Sequence, residues 1–91
     1  MKTRILNYRI IVTPDVRTGI DGKVGFTAFC PTLGVADDGN TIEESLKNIK
    51  EAIEMYVKSL AEDKEPIPID QPESDFITTT QIVARSSLNF V

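Results

Sequence analysis

Residues 42 to 62, IEESLKNIKEAIEMYVKSLAE, constrain the fold more than any other stretch. Ile42, Leu46, Ile49, Ile53, Tyr56, Val57 and Leu60 recur at helical spacing and form one apolar stripe. Thr41 and Glu44 mark the start. They have the S/T-x-x-E spacing in which the hydroxyl accepts from the Glu44 N–H and the glutamate reaches back. Glu43/Lys47, Lys50/Glu54 and Glu54/Lys58 lie four apart on the outer face. Met55 also falls on that polar side, where an exposed thioether can mark a contact surface. Pro66 and Pro68 end the helix. A helix over this span is about 31 Å long, enough to cross a small sheet.

The flanking sequence supplies that sheet. Residues 5 to 13, ILNYRIIVT, alternate: Leu6, Tyr8, Ile10 and Val12 share one face, and Ile5, Asn7, Arg9 and Ile11 the other. Pro14 is read as the end of this strand. A loop with Thr18-Gly19 and Asp21-Gly22 turn signals follows. Residues 24 to 30, VGFTAFC, form a second strand with Val24, Phe26, Ala28 and Cys30 on one face. Residues 33 to 37, LGVAD, form a short third. Gly39 is read as a positive-φ turn glycine before the helix. EPIPIDQPESD reads as an extended linker, and residues 76 to 84, rich in β-branched side chains, as a last strand. The order β-β-β-α-β predicts one α+β domain over residues 1–91, an antiparallel sheet with one long helix on one face. Ile5, Ile11, Phe29, Ile77 and Val83 then point to the uncovered face. This predicts a homodimer or larger assembly built partly from Phe76, Ile77, Thr79, Ile82 and Val83.

Composition excludes several chemistries. The chain has no His, so imidazole general acid–base work, His-activated nucleophiles and His metal ligation are absent. The lone Cys30 cannot form an internal disulfide, which agrees with a reducing compartment. The N-terminus alternates instead of forming a signal peptide's apolar block, and the expected location is the cytoplasm. The net charge of −4 is unevenly spread. Residues 1–37 carry a net +2 and residues 38–75 a net −7, a surface suited to a basic protein partner and unsuited to a phosphate backbone. Lys2, Arg4, Arg9, Arg17 and Lys23 are spread over the first hairpin with sparse aromatic interleaving and no recognition helix.

Candidate reactive groups are few. Asp37 and Asp38 are the one adjacent pair of aspartates, and neighbours on a strand point apart. Cys30, before Pro31, has no basic neighbour in sequence to activate it and reads as a small apolar strand residue. Gly34, Gly39 and Thr41 fit no phosphate-loop pattern. The expectation is a protein that is not an enzyme and that uses no metal or cofactor.

One family combines these features. Phe29, Pro31, Leu33 and Gly34 are followed by Gly39, Thr41, Glu43, Glu44, Ser45 and Leu46. Asn48, Ala52, Ile53, Pro66 and Pro68 complete a series that resembles the HicB-like antitoxins over residues 5 to about 84, with Tyr8 in the first strand. The resemblance implies a truncated RNase H-like fold without that fold's catalytic carboxylates. It also implies the antitoxin of a type II toxin–antitoxin pair, which binds and occludes a HicA-type toxin, a small basic mRNA endoribonuclease. Many relatives of this kind carry a C-terminal DNA-binding domain. Here only sixteen residues follow Asp75 in the sequence, fewer than such a domain needs, so no operator binding by this chain is expected.

Within this reading Phe29, Pro31 and Leu33 are the apolar anchors, and Asp37, Asp38, Glu43 and Glu51 the acidic side chains facing the toxin. The alternatives are an orphan oligomeric protein-binding module without a toxin partner, and a divergent nuclease using Asp15, Asp37 or Asp38 with Mg²⁺.

Overall fold

A computed structural model describes residues 3–16 and 22–91. It shows a three-stranded antiparallel sheet followed by one long helix: β1 (Ile11–Asp15), β2 (Gly25–Cys30), β3 (Val35–Gly39) and α1 (Ile42–Glu62). The architecture is α+β, with the helix on one face. β2 is the central strand. It pairs Ile11↔Phe29 and Pro14↔Phe26 on one side, and Phe29↔Ala36 and Thr27↔Asp38 on the other.

Five strand boundaries differ from the sequence reading: β2 starts at Gly25 and not residue 24, β3 runs on to Gly39 and not only to residue 37, and three further shifts have identifiable causes. β1 begins at Ile11, not residue 5, because β2 stops at Cys30 and Pro31 offers no N–H to prolong the ladder. Pro14 does not end β1 but lies inside it, which an edge strand tolerates. β3 starts at Val35, two residues later than expected, because Leu33 and Gly34 belong to the preceding turn. The Gly34 N–H donates to the Cys30 carbonyl at 2.8 Å, and Gly34 has φ +69°. Residues 76–84, expected as a strand, enter no ladder. Their β-branched composition suits a strand, but a strand exists only opposite a neighbour, and this chain brings none beside them. Arg17, Thr18, Gly19 and Asp21, and Lys2, lie outside the described residues.

The helix entry is built at close range. Thr41 caps it, its hydroxyl accepting from the Glu44 N–H at 3.0 Å. Glu44 reaches back past Thr41 to Asn40, where Oε1 accepts from the backbone N–H at 3.2 Å and from Nδ2 at 3.3 Å. Gly39 is not a positive-φ residue, contrary to the sequence reading. It is required by contact instead: a Cβ there would lie 2.5 Å from the Ser45 amide nitrogen and 2.8 Å from the Glu44 carbonyl carbon. At the other end Lys64 takes φ +57°. The Glu65 N–H bonds the Leu60 carbonyl and the Lys64 N–H bonds the Ala61 carbonyl, which is a Schellman closure.

The buried core is small. Ala28, Cys30 and Ile49 are fully enclosed, with Tyr8, Ile10, Val12, Leu33, Val35 and Ile53 packed around them. The helix lies mainly over β3 and then β2. Asn48 fastens it there, Nδ2 donating to the Asp38 carbonyl at 2.8 Å. Because the helix sits off-centre, its β1 flank is left open. The Cα radius of gyration is 17.5 Å, against about 12 Å for a compact chain of this length.

Candidate protein-interaction surface

The sheet's outer face carries Ile11, Phe29 and Ala36 in one cross-strand row, and Thr13, Thr27 and Asp38 in the next. The alternation of strand side chains places Val12, Ala28 and Asp37 on the opposite, helix-covered side. Ile11 and Phe29 are 53% and 40% exposed, so the face presents a short apolar strip with Asp38 diagonal to Phe29.

The anticipated anchors and acids therefore divide between surfaces. Phe29 and Asp38 share the open sheet face. Pro31 is exposed in the turn after β2, and Leu33 is half-buried against the core. Asp37 turns to the helix side, and its Oδ1 accepts from the Asp38 N–H at 2.8 Å. Glu43 is exposed in the first helical turn, and Glu51 is exposed two residues beyond the buried Ile49, on the helix's outer side. Phe29 and Glu51 thus lie on opposite sides of the two-layer domain. Among the described residues, no three His, Cys, Asp or Glu side chains cluster closely enough to hold a metal ion. Ile77, Thr79, Ile82 and Val83 are exposed, as is Phe76 at 97%. They do not extend the apolar strip, because residues 76–84 join no sheet.

A cluster that sequence reasoning missed fixes the segment after the helix. Asp70, read as part of a plain linker, has its side chain 1% exposed. Its carboxylate accepts from the Arg9 backbone N–H, and from Arg9 Nε at 2.9 and 3.1 Å; Arg9 Nη2 lies 2.7 Å from Oδ1. The same Nη2 donates to Asp75 Oδ2 at 2.9 Å, beyond a single 3₁₀ turn at Pro72–Ser74. The Arg9 hydrogen bonds hold the Asp70 carboxyl below the usual carboxylate range, with a smaller contribution from Thr32. Tyr8 Oη donates to the Pro68 carbonyl at 2.6 Å, and burial pushes its phenol up. A carboxylate inside the apolar run PIPID was the available signal, since a buried Asp requires a cationic partner.

Beside this clamp a groove of about 520 Å³ runs between residues 6–10 and the open flank of α1. Leu6, Tyr8 and Ile10 form one wall, Leu46, Ile53 and Val57 the other, with Lys50 and Glu54 also lining it. Among the described residues no helix is long and apolar enough to cross a membrane.

The chain matches no protein-family model and no solved structure. It is 41% identical over 66 residues to a UPF0150 protein of Synechocystis sp., covering 71% of this chain and 76% of that one. It is 39% identical over 69 residues to a UPF0150 protein of Thermoplasma acidophilum, covering 75% of this chain and 91% of that one. A UPF0150 protein of Helicobacter pylori is 49% identical over 41 residues, which covers 44% of this chain and 57% of the other. With relatives this similar aligned along most of their length, the chain belongs to the UPF0150 family.

Proposed function

We propose that this chain is a protein-binding antitoxin of the HicB-like kind, which covers the active site of a small basic endoribonuclease of the HicA type. The observation that carries the reading is the ordered series from Phe29 to Pro68, set in a half of the chain with a net charge of −7 over residues 38–75. The open sheet face supports it by offering what such a contact uses: the apolar strip of Ile11 and Phe29 bordered by Asp38. Apolar side chains at the centre of an interface supply most of the affinity, and charges at its rim supply orientation and encounter rate. The mechanism is steric: the antitoxin occupies the surface that RNA otherwise reaches, and neither partner is altered chemically.

The test is co-expression with any small basic protein encoded beside it, followed by an RNA-cleavage assay on the purified pair. Relief of toxicity and loss of cleavage on adding this chain are the expected results. A neighbour that is harmless alone, or whose toxicity persists, overturns the proposal. The second reading, an oligomeric regulatory module without a toxin, is favoured by the exposed 76–84 segment.

A further inference from the structure

We infer that two copies of this chain exchange their C-terminal segments. Residues 76–84 of each lie as an added strand in the other's groove between residues 5–10 and α1. The inference is independent of the toxin reading, because it concerns only how the chain completes its own fold.

Two stretches carry a strand pattern yet enter no ladder: residues 5–10, and residues 76–84. One lines an apolar groove. The other is an apolar, β-branched segment, with Ile77, Ile82 and Val83 exposed at 90%, 77% and 96%. An extended segment added along an unpaired stretch satisfies backbone groups on both sides and seats alternate side chains in the groove. The chain's own tail is rooted beside this groove by the Arg9–Asp75 contact and still leaves it unfilled. Reciprocal exchange about a two-fold axis uses each copy once as donor and once as acceptor, so the assembly closes.

Area favours a second copy over a transient partner as the occupant. The chain exposes 7932 Å², whereas a folded monomer of 10.1 kDa is expected to expose about 5,300 Å². The surplus is roughly 2,600 Å² per chain. Buried from two copies, it matches obligate homodimers and greatly exceeds the ~800 Å² per partner of a standard transient complex. Charge agrees. The tail's apolar run ends in Arg85, which has no ion-pair partner among the described residues, and Glu54 lines the receiving groove. Arg85 of one copy is thereby assigned to Glu54 of the partner subunit, the one carboxylate of a groove whose lining also holds Lys50.

Light scattering on the full chain at micromolar concentration tests this, with far-UV circular dichroism reporting the helix. The wild type is expected to be a dimer. Ile82→Asp with Val83→Asp is expected to give a monomer of unchanged helicity, since neither side chain is buried in the single chain. Glu54→Arg and Arg85→Glu are each expected to weaken the dimer roughly tenfold through two symmetry-related pairs, and their combination to restore it. A monomeric wild type overturns the inference. So does a dimer indifferent to the tail substitutions, which points to the Ile11–Phe29 face. A monomer whose tail amides resist hydrogen exchange also overturns it, since the tail then occupies its own groove. None of these readouts involves a toxin, so this failure and that of the antitoxin reading are separable.

Discussion

Gly39 and Asp70 show how much of this fold rests on single atoms. The helix backbone passes so close to Gly39 that a methyl group has no room against the Ser45 and Glu44 main chain, which cannot swing away as a side chain can. Gly39→Ala is expected to cost about 1–3 kcal/mol, read as a lower urea midpoint. At Gly22, with φ +76° and nothing within 4 Å, the same change costs only backbone strain, of about 1 kcal/mol. Asp70 makes a pH prediction. Its carboxyl is held below the usual range by Arg9, so the ionised clamp stabilises the fold above the unfolded-state value and is lost as pH falls through the lower folded one. Wild type is therefore expected to exceed Asp70→Asn in thermal stability at neutral pH, with the gap closing in acid. A gap that persists below the carboxylate range refutes the clamp's role.

At the level of elements, the helix explains what a sequence can disclose. Both its ends are set by local signals: Thr41 against Glu44 at the start, and a reversal before Pro66 and Pro68 at the finish. The cap is imperfect, because Lys64 occupies the left-handed position that glycine fills without strain. Lys64→Gly is expected to raise the urea midpoint by the equivalent of about 1 kcal/mol, and Thr41→Ala to lower it by a similar amount. Strand limits were less legible because they depend on the neighbour. Leu6, Tyr8 and Ile10 keep their alternation beyond β1, yet β2 does not reach them. Phe76, Ile77 and Val83 likewise have a strand's composition without its partner. The Arg9–Asp70 clamp was only half legible for another reason. Asp70 in an apolar run calls for a cation, but its partner is 61 residues away and nothing local singles out Arg9. None of the Glu/Lys pairs spaced four apart on α1 closes to an ion pair, which costs little, since exposed pairs contribute well under 1 kcal/mol.

The whole molecule presents two distinct open places, the sheet's outer strip and the flank of the helix. They are separable by experiment. Under the proposed antitoxin function and tail exchange, Phe29→Ala is expected to weaken toxin binding about tenfold in titration calorimetry while leaving the dimer intact. Under the same proposal, raised salt is expected to slow association with a basic toxin, measured by stopped flow, because screening removes the steering that an acidic surface provides. The chain's single thiol lies at the centre of these contacts, wholly enclosed beneath Ile49. A reagent can reach it only when helix and sheet part, so the speed at which Cys30 is alkylated is a clock for that opening. The protein carries its own gauge of breathing, and occupancy of either surface can be read as a change in that tempo without attaching a label.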